Sequence, residues 1–364
     1  MLDRTGSSDT PLNTAAPSLR FKCVGWLAGL LAAFAGVGAS VAATVPAALD
    51  VAAGERLLVV APHPDDETLG AGGLIQRVLE RGGTVRIVLV TAGDGYVEAV
   101  VHETGLPRPR PSQYIAYGER RLREARAAVR ELGSDRMRLQ VLGFPDGGLA
   151  SLLHAHWRRI HSERSSTTGV SEPPYPEALD PNVAYDGTDL RRELLRLVRE
   201  THPTMVALPH PFDRHPDHRA TGLFTLLAID DWAGEAARPR APLPRLLAYL
   251  VHWPNWPPGW NAPTPPPAAA TATFELPPTF PVQNGTPTDL ALSDAEVAAK
   301  RAALAEYKSQ QEEMASLLAA FVRHTEPFVL LTAPTLPELE RMIDQSAGTA
   351  QKLHGPHDRG TPSP

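Results

Sequence analysis

Short apolar runs alternate with longer amphipathic segments along most of the chain. The apolar runs have the length and β-branched content of buried strands, and they cover residues 57–61, 84–90, 137–142, 204–209, 245–252 and 328–331. Segments with apolar residues at helical spacing lie between several of these runs, at 69–79, 117–132, 189–200 and 220–230. This alternation predicts an α/β fold, with a Rossmann-like, mostly parallel sheet and helices on both of its faces.

The alternation is interrupted in three places. Residues 97–115 and 161–188 are rich in proline or small polar residues and are predicted to be irregular. Residues 253–287 are rich in proline and tryptophan and are predicted to be a loop inserted near the carboxyl edge of the sheet. Its tryptophans could stack on sugar faces, but we prefer the interpretation that they pack the loop onto the domain.

A long helix is predicted after this loop, at residues 292–322. Ser293 is its expected N-cap, and Glu296 follows at the spacing of a capping box. The final residues, 345–364, are predicted to be disordered because they lack a sustained apolar pattern. The folded domain is therefore predicted to span residues 50–344.

The first 43 residues are predicted to be a signal peptide or a membrane anchor. Three basic residues precede an apolar stretch at 24–44 that is rich in alanine, glycine, leucine and valine. The stretch ends in Val41-Ala42-Ala43, which suits signal-peptide cleavage, but it is also long enough to tether the chain in a membrane uncleaved. Either interpretation predicts an exported domain, in the periplasm or outside the cell.

Composition narrows the classes of function. The 364 residues carry a formal net charge of -6, the sequence pI is about 6.1 and no long basic tract is present, so nucleic acid is not an expected partner. The only cysteine, Cys23, lies in the predicted export segment. A mature chain would therefore lack cysteine, which excludes a cysteine-based zinc site and a thiol nucleophile.

Such groups are concentrated in two turns that each follow a predicted buried strand. The first turn, PHPDDE, covers residues 62–67, and the second, HPFDRHPDH, covers residues 210–218. In an open α/β sheet, ligands bind at the carboxyl ends of the strands, so both turns are expected at one edge. Together they supply the following candidate groups: His63, Asp65, Asp66, Glu67, His210, Asp213, His215, Asp217 and His218.

A polar connection with a helix-capping aspartate is the simplest explanation of an acidic turn. Two prolines, one histidine and three carboxylates in six residues are too concentrated for that explanation alone. Imidazole and carboxylate without thiolate is the ligand set of a catalytic zinc site, which keeps one position for a water with a pKa of about 7. The surplus groups could act as a base for that water and an acid for a leaving amine.

The two turns resemble the PIG-L/LmbE family of zinc-dependent deacetylases. Three further segments resemble family segments in the same order, namely Arg121-x-x-Glu124-x-x-x-Ala128, Phe144-Pro145-Asp146-Gly147 and Tyr307-x-Ser309-Gln310. The resemblance covers about residues 55–330. It implies the deacetylase fold and a hydrolase that removes an N-acetyl group from an N-acetylglucosamine-containing glycan or glycoconjugate.

Roles follow from the resemblance, position by position. It implies three zinc ligands: His63, Asp66 and His218. Iron or another divalent ion would also suit these donors, because affinity order alone does not determine which metal is bound. Asp65 is implied as the general base. His215 is implied as a protonated imidazole that stabilises the oxyanion or protonates the amine, with Asp217 orienting it.

Four residues are candidates for substrate binding. The resemblance points to Asp146, whose carboxylate could accept hydrogen bonds from sugar hydroxyls, and to Arg121, which could bind an anionic aglycone. The alternative for Arg121 is a solvated surface arginine. Gly93 and Gly95 either let the backbone approach the substrate or only form a turn.

Two of the remaining turn residues are expected to have structural roles. Glu67 and His210 are expected to support the turns rather than bind metal.

The predicted export and the 253–287 loop favour an envelope or extracellular glycan as substrate over a small cytoplasmic thiol precursor. The alternatives are a zinc amidohydrolase acting on another N-acyl compound and a non-catalytic glycan-binding protein. A nucleotide-binding domain is disfavoured because Gly-x-Gly-x-x-Gly is absent after the first strand.

Overall fold

The computed structural model of the protein describes residues 46–133, 136–235, 242–260, 274–282 and 285–353. The predicted export segment, 1–43, lies outside these ranges. Within them, no helix has both the length and the apolar character needed to cross a bilayer.

A central sheet contains the described strands. They are β1 (Ala47–Ala48), β2 (Arg56–Ala61), β3 (Thr84–Thr91), β4 (Met137–Phe144), β5 (Met205–Pro209), β6 (Arg245–Tyr249), β7 (Gly285–Ala291) and β8 (Thr325–Leu331). Their order across the sheet is β1-β7-β8-β6-β5-β2-β3-β4. The strands from β6 to β4 pair in parallel, whereas β8 is antiparallel to both β6 and β7. The expected mostly parallel sheet is therefore confirmed.

Helices cover both faces of the sheet, as predicted. They are α1 (Asp66–Glu80), α2 (Val97–Thr104), α3 (Pro111–Leu132), α4 (Leu149–His154), α5 (Gly187–Thr201), α6 (Pro216–Gly234), α7 (Asp294–Glu306), α8 (Lys308–Ala320) and α9 (Leu336–Leu353). One apolar cluster joins α1, α3, α7 and α8 to the sheet, and a second joins α4, α5, α6 and α9 to it. Alternate residues of β2 enter the two clusters, because successive side chains of a strand point to opposite faces.

The prediction of an irregular segment at 97–115 is wrong. Helix α2 occupies its first part, and α3 begins at Pro111, where a proline fits because the first helical amide needs no acceptor. Helix α2 buries only Ala99 and Val100, which pack against Tyr114 of α3. Such a short buried face leaves too little periodicity to be recognised in the sequence.

The continuous helix predicted at 292–322 is two helices. The chain leaves helical geometry at Tyr307, between α7 and α8. The Tyr307 side chain is fully buried, and its hydroxyl donates a hydrogen bond to Glu67 in the first ligand-rich turn. A contact with a distant part of the chain thus overrides the local helical pattern. The capping box of Ser293 and Glu296 is confirmed.

The proline- and tryptophan-rich segment is shorter than predicted. Strand β7 begins at Gly285, inside the predicted loop 253–287, while residues 261–273 lie outside the described part of the chain. Trp256 is buried and stacks on Phe274, with 4.8 Å between ring centroids. At this tryptophan, packing on the domain is the observed role.

The last helix corrects the prediction of a disordered tail. Helix α9 continues to Leu353, which overlaps the predicted tail, 345–364. Leu339 of this helix is fully buried in the second apolar cluster. Residues 354–364 lie outside the described part of the chain.

Candidate active site

The two ligand-rich turns lie side by side at the carboxyl edge of the sheet. Strand β2 ends at Ala61, immediately before the first turn, and β5 ends at Pro209, immediately before the second. The two strands are parallel neighbours, with Val59 opposite Ala207. The placement expected from the sequence is confirmed, and it brings the side chains of both turns into one site.

The three predicted metal ligands converge in this site. Donor atoms of His63, Asp66 and His218 lie within 4.8 Å of one another. Asp66 Oδ2 lies 3.1 Å from both His63 Nδ1 and His218 Nε2. The Nε2 atom of His218 is buried and faces Asp66 Oδ2 without the geometry of a hydrogen bond, so it remains available as a metal donor. His63 also groups with His215 and Asp217, which makes the latter two alternative ligands.

The charges of these residues depend strongly on one another. Burial alone would lower the pKa of His218, but Asp66 and Asp213 outweigh it and raise that pKa to about 9. Burial also opposes the charged form of His63, yet Asp146 and its other carboxylate neighbours raise the His63 pKa well above its ordinary value. Metal-binding imidazoles must be neutral, so a divalent ion would have to displace protons from this site.

Asp213 lies behind His218, on the side of its Nδ1 atom. Its carboxylate is fully buried, and Oδ2 lies 3.5 Å from His218 Nδ1. Three backbone amides donate to the same carboxylate at 2.9–3.0 Å, those of His215, Val251 and His252. A carboxylate in this position orients a metal-binding histidine. The sequence placed Asp213 in the second turn but assigned it no role.

Asp65 lies beside His63, Asp66 and His218, the candidate metal-ligand cluster, and has an unusual backbone conformation. Its φ of 128° is rare for a residue other than glycine, and its amide donates to Glu67 Oε2 at 3.1 Å. Burial raises the pKa of Asp65 to about 8, with Asp66 and Glu67 adding to the rise and Arg121 opposing it. The carboxylate is therefore more basic than an exposed aspartate, as a general base requires.

Arg121 is buried, so the alternative of a solvated surface arginine is wrong. Its Nη2 donates to Pro64 O at 2.7 Å and lies 3.3 Å from Asp65 Oδ2, while Nη1 donates to Gly93 O at 3.0 Å. Gly93 has a φ of 69°, and a Cβ there would lie 2.1 Å from Nη1. Both residues therefore brace the first turn, and the substrate contact expected for them stays a prediction.

Two carboxylates from other elements approach His63. Asp146, after β4, places Oδ1 3.1 Å from His63 Nε2, and its Oδ2 accepts from the Gly95 amide at 2.6 Å. A Cβ on Gly95 would lie 2.9 Å from Asp146 Cγ, so the glycine permits this approach. Asp217 Oδ2 lies 3.5 Å from the same His63 nitrogen. Asp146 and Gly95 both border the cavity of the site, where a sugar contact stays a prediction.

The expected relation between Asp217 and His215 is wrong in its details. His215 caps α6, and its Nδ1 accepts from the backbone amide of Asp217 at 3.3 Å. The Asp217 carboxylate instead accepts from the amides of Gly147 and Leu149. Burial lowers the pKa of His215 to about 3, and neighbouring imidazoles, first His63, add to this effect. The lowered pKa favours the neutral imidazole, and because Nδ1 accepts a hydrogen bond its proton would lie on Nε2.

Comparison with known proteins agrees with this geometry. A family model described as PIG-L: GlcNAc-PI de-N-acetylase matches residues 58–229, which include both ligand-rich turns. The matched segment, residues 58–229, is a PIG-L domain.

Several characterised proteins are similar to part of this chain. Diacetylchitobiose deacetylase of Thermococcus kodakarensis is 26% identical over 183 residues, or 48% of this chain and 49% of that protein. A 1D-myo-inositol 2-acetamido-2-deoxy-alpha-D-glucopyranoside deacetylase of Tsukamurella paurometabola is 29% identical over 184 residues, or 48% and 55%. The chain thus spans about half the length of the curated relatives it matches. The solved N,N'-diacetylchitobiose deacetylase of Pyrococcus horikoshii aligns at 17% identity with a TM-score of 0.46, over 75% of this chain and 82% of that one.

Distant segments of the chain support the first turn. Glu67 is buried and accepts hydrogen bonds from the Tyr307 hydroxyl and from the Asp65 amide, in agreement with its expected structural role. The Ser309 hydroxyl donates to Glu124 at 2.6 Å, which joins α8 to α3. The segments that suggested the family therefore pack together around the site.

A third strand end also brings a histidine to the site. The His252 ring lies 4.6 Å from the His218 ring and 5.0 Å from the His215 ring, measured between centroids. It follows β6, the parallel neighbour of β5, and this strand-end position is the signal that sequence reasoning overlooked. His210, by contrast, packs against Phe280 and lies outside the metal-ligand cluster, as expected.

A cavity of about 260 Å³ borders the cluster. His63, Asp65 and Asp146 contribute to its polar lining. Its apolar lining includes Leu69, Met314 and Leu317. The volume is slightly below the roughly 300 Å³ at which pockets for drug-sized ligands begin, so the cavity is large enough for one sugar ring.

Proposed function

We propose that this protein is a metal-dependent N-deacetylase that removes the acetyl group from an N-acetylglucosamine unit of a glycan or glycoconjugate. The observation that carries the proposal is the buried cluster of His63, Asp66 and His218 with the basic Asp65 beside it. The cavity that borders them suits a single sugar ring. Similarity to proteins named as deacetylases of N-acetylated amino sugars supports the same reaction class.

His63, Asp66 and His218 would hold the metal, and we propose zinc because the donors are imidazole and carboxylate without thiolate. Zinc supplies Lewis acidity, which polarises an amide carbonyl and acidifies water. The same donors accept Fe²⁺, so elemental analysis of the purified protein is the test of this choice.

The protein's own groups move the protons. Asp65 accepts the proton of the attacking water, since its raised pKa makes it a stronger base than an exposed aspartate. The same carboxyl group can then donate that proton to the leaving amine nitrogen. His215 is neutral with its proton on Nε2, so it can donate a hydrogen bond to the carbonyl oxygen as negative charge develops there.

We also propose that the protein acts outside the cytoplasmic membrane, on an envelope or extracellular glycan. The support is the sequence pattern alone, with basic residues before the apolar stretch at 24–44 and small residues at its end. Either cleavage after this segment or its retention as a membrane tether would expose the domain to such a glycan.

The test is acetate release by the metal-loaded protein, with and without chelator. Substrates would be free N-acetylglucosamine, chitooligomers, peptidoglycan fragments and N-acetylglucosaminyl lipids. We expect chelator to abolish release, and Asp65→Asn to slow it by about two to four orders of magnitude while metal remains bound. Asp231→Asn, which removes a carboxylate from the outer side of α6, is the matched control and should retain activity.

Other outcomes would separate the rival functions. Unchanged acetate release by Asp65→Asn would refute the base assignment, and unchanged metal content in His63→Ala would refute the ligand set. Hydrolysis of non-sugar N-acyl compounds alone would indicate a different amidohydrolase. Glycan binding without acetate release, in protein that contains metal, would indicate a non-catalytic binding protein.

A further inference from the structure

A second cavity, of about 200 Å³, lies next to the active-site cavity. The two cavities are separated by two pairs of adjacent residues, Arg214–His215 and His252–Trp253. His215 and His252 line the active-site cavity, whereas Arg214 and Trp253 line the second one. The Arg214 amide donates to His252 O at 3.0 Å, which joins the two segments into one wall. In each of the two segments, one side chain thus lines the active-site cavity and its neighbour lines the second cavity.

Two arginines, the exposed Arg214 and the half-buried Arg219, bring positive charge to the second cavity. Arg214 and Arg219 are the charged residues among its described lining, and neither is ion-paired within the described part of the chain. Arg219 is half-buried, and its guanidinium makes only long hydrogen bonds, of 3.3 and 3.4 Å, to the backbone oxygen of Asp213. The Asp213 carboxylate accepts from backbone amides and forms no ion pair with Arg219. Burial lowers the pKa of Arg219, and the charge of Asp213 only partly offsets this effect.

An aromatic ring and apolar groups complete the lining. The Arg214 guanidinium carbon lies 4.8 Å from the centroid of the Trp253 ring, a distance typical of a cation–π contact. A guanidinium that lies over an aromatic face keeps its N–H groups in its own plane, where they can donate to an anion. Phe212 and Met342 add apolar surface to the same cavity.

We propose that the second cavity binds an oxyanion, a carboxylate or a phosphate, carried by the glycan whose N-acetyl sugar enters the active-site cavity. A partly buried cation is costly without a counter-charge, and two guanidinium groups match the geometry of a carboxylate or phosphate. The cavity volume suits one acidic sugar or one phosphate group. The inference rests on the proposed deacetylation, and it narrows the substrate to an acidic glycan.

Binding of small acidic sugars tests the cavity directly. The metal-loaded protein would be titrated calorimetrically with glucuronate, with glucose 6-phosphate and with glucose as the neutral reference. We expect one of the acids to bind more tightly than glucose, and Arg214→Gln to weaken its binding about tenfold, as loss of a charge-assisted hydrogen bond should. Comparison of the two acids identifies carboxylate or phosphate as the preferred group.

Two further variants serve as controls. Arg81→Gln removes the same charge from an exposed residue after α1, at the opposite edge of the sheet, and should leave binding unchanged. Arg214→Lys keeps the charge but not the planar fork, so it should bind with intermediate affinity. An anion held by the active-site metal would bind equally well to Arg214→Gln. Equal affinity in that variant, or no preference of the wild type for either acid over glucose, would overturn the inference.

A kinetic comparison separates this inference from the proposed function. The ratio of kcat/KM for a disaccharide of N-acetylglucosamine and glucuronic acid to that for diacetylchitobiose should fall about tenfold in Arg214→Gln. Hydrolysis of both compounds without a change in this ratio, together with unchanged acid binding, would refute the anion site alone. Failure of every variant to hydrolyse either compound would count against deacetylation, while the titrations would still decide whether the anion site exists.

Discussion

Asparagine at position 213 would test how the candidate metal site is held. The Asp213→Asn change preserves side-chain size but converts one acceptor oxygen into an NH₂ donor. In the structure, Oδ1 accepts from the His215 amide at 2.9 Å, and Oδ2 accepts from the amides of Val251 and His252 at 2.9 and 3.0 Å. Whichever way the new side chain turns, its NH₂ group faces at least one backbone N–H, which loses its acceptor.

The size of the effect follows from these contacts. Hydrogen bonds to a charged group contribute about 1.5–3 kcal/mol each, and an unsatisfied buried donor adds a desolvation penalty. We therefore expect the free energy of unfolding to fall by about 2–4 kcal/mol in the metal-free protein at neutral pH. Because Asp213 Oδ2 also lies 3.5 Å from His218 Nδ1, metal affinity should fall about 10–100-fold.

The pH dependence provides a check on the cause. Burial alone would raise the pKa of Asp213, but His218 and His252 outweigh it and hold that pKa well below its ordinary value. A carboxylate with a lowered pKa contributes stability above the unfolded-state pKa of about 3.9, and the contribution is lost as pH falls through the folded-state pKa. The difference between wild type and Asp213→Asn should therefore shrink below about pH 4.

Urea unfolding of the chelator-treated protein and competition for metal with a chelator of known affinity would measure both effects. Asp231→Asn is the control, because its ion pair with Arg191 is partly exposed and should contribute at most about 1 kcal/mol. Metal affinity of Asp213→Asn equal to that of the control would refute the inference that Asp213 orients His218. A loss of stability below about 1 kcal/mol would show that the three amide contacts contribute little.

Three further predictions concern neighbouring parts of the fold. Lys300→Met should lower the free energy of unfolding, measured by urea titration, by about 3–5 kcal/mol. The reason is that the buried carboxylate of Glu326, which lies 2.7 Å from Lys300 Nζ, loses its cation. A loss under about 1 kcal/mol would contradict this prediction. Gly93→Ala should lower the free energy of unfolding by about 1–3 kcal/mol in the same titration. The φ of residue 93 is 69°, and the new Cβ would lie 2.1 Å from Nη1 of the Arg121 guanidinium. Stability equal to that of the wild type would show that the guanidinium moves freely. In metal-free protein, the stability contributed by protonated Asp65 is present below about pH 3.9 and is lost as pH rises through about 8. The difference in free energy of unfolding between wild type and Asp65→Asn should therefore decline from about pH 4 to 8. A difference that stays constant over this range would contradict the raised pKa.

The sequence by itself determined the architecture and the chemical composition of the site. Buried strands and amphipathic helices are visible as local periodicities, because each residue's face follows from the repeat of its own element. In a parallel sheet, ligands bind at the carboxyl ends of the strands. This general property was sufficient to predict that His63 and His218, in turns about 150 residues apart, lie close together. Both steps use only short-range patterns and a general property of the fold.

Only the tertiary structure decided how the side chains around the cluster are arranged. Arg121 binds Pro64 and Gly93, which lie 57 and 28 residues away, and no local pattern distinguishes it from the solvated arginines of α3. The break between α7 and α8 at Tyr307 likewise depends on a contact with Glu67. Residue types and spacings in a turn show which groups can bind a metal. Their burial, protonation and orientation depend on neighbours that folding brings from elsewhere in the chain.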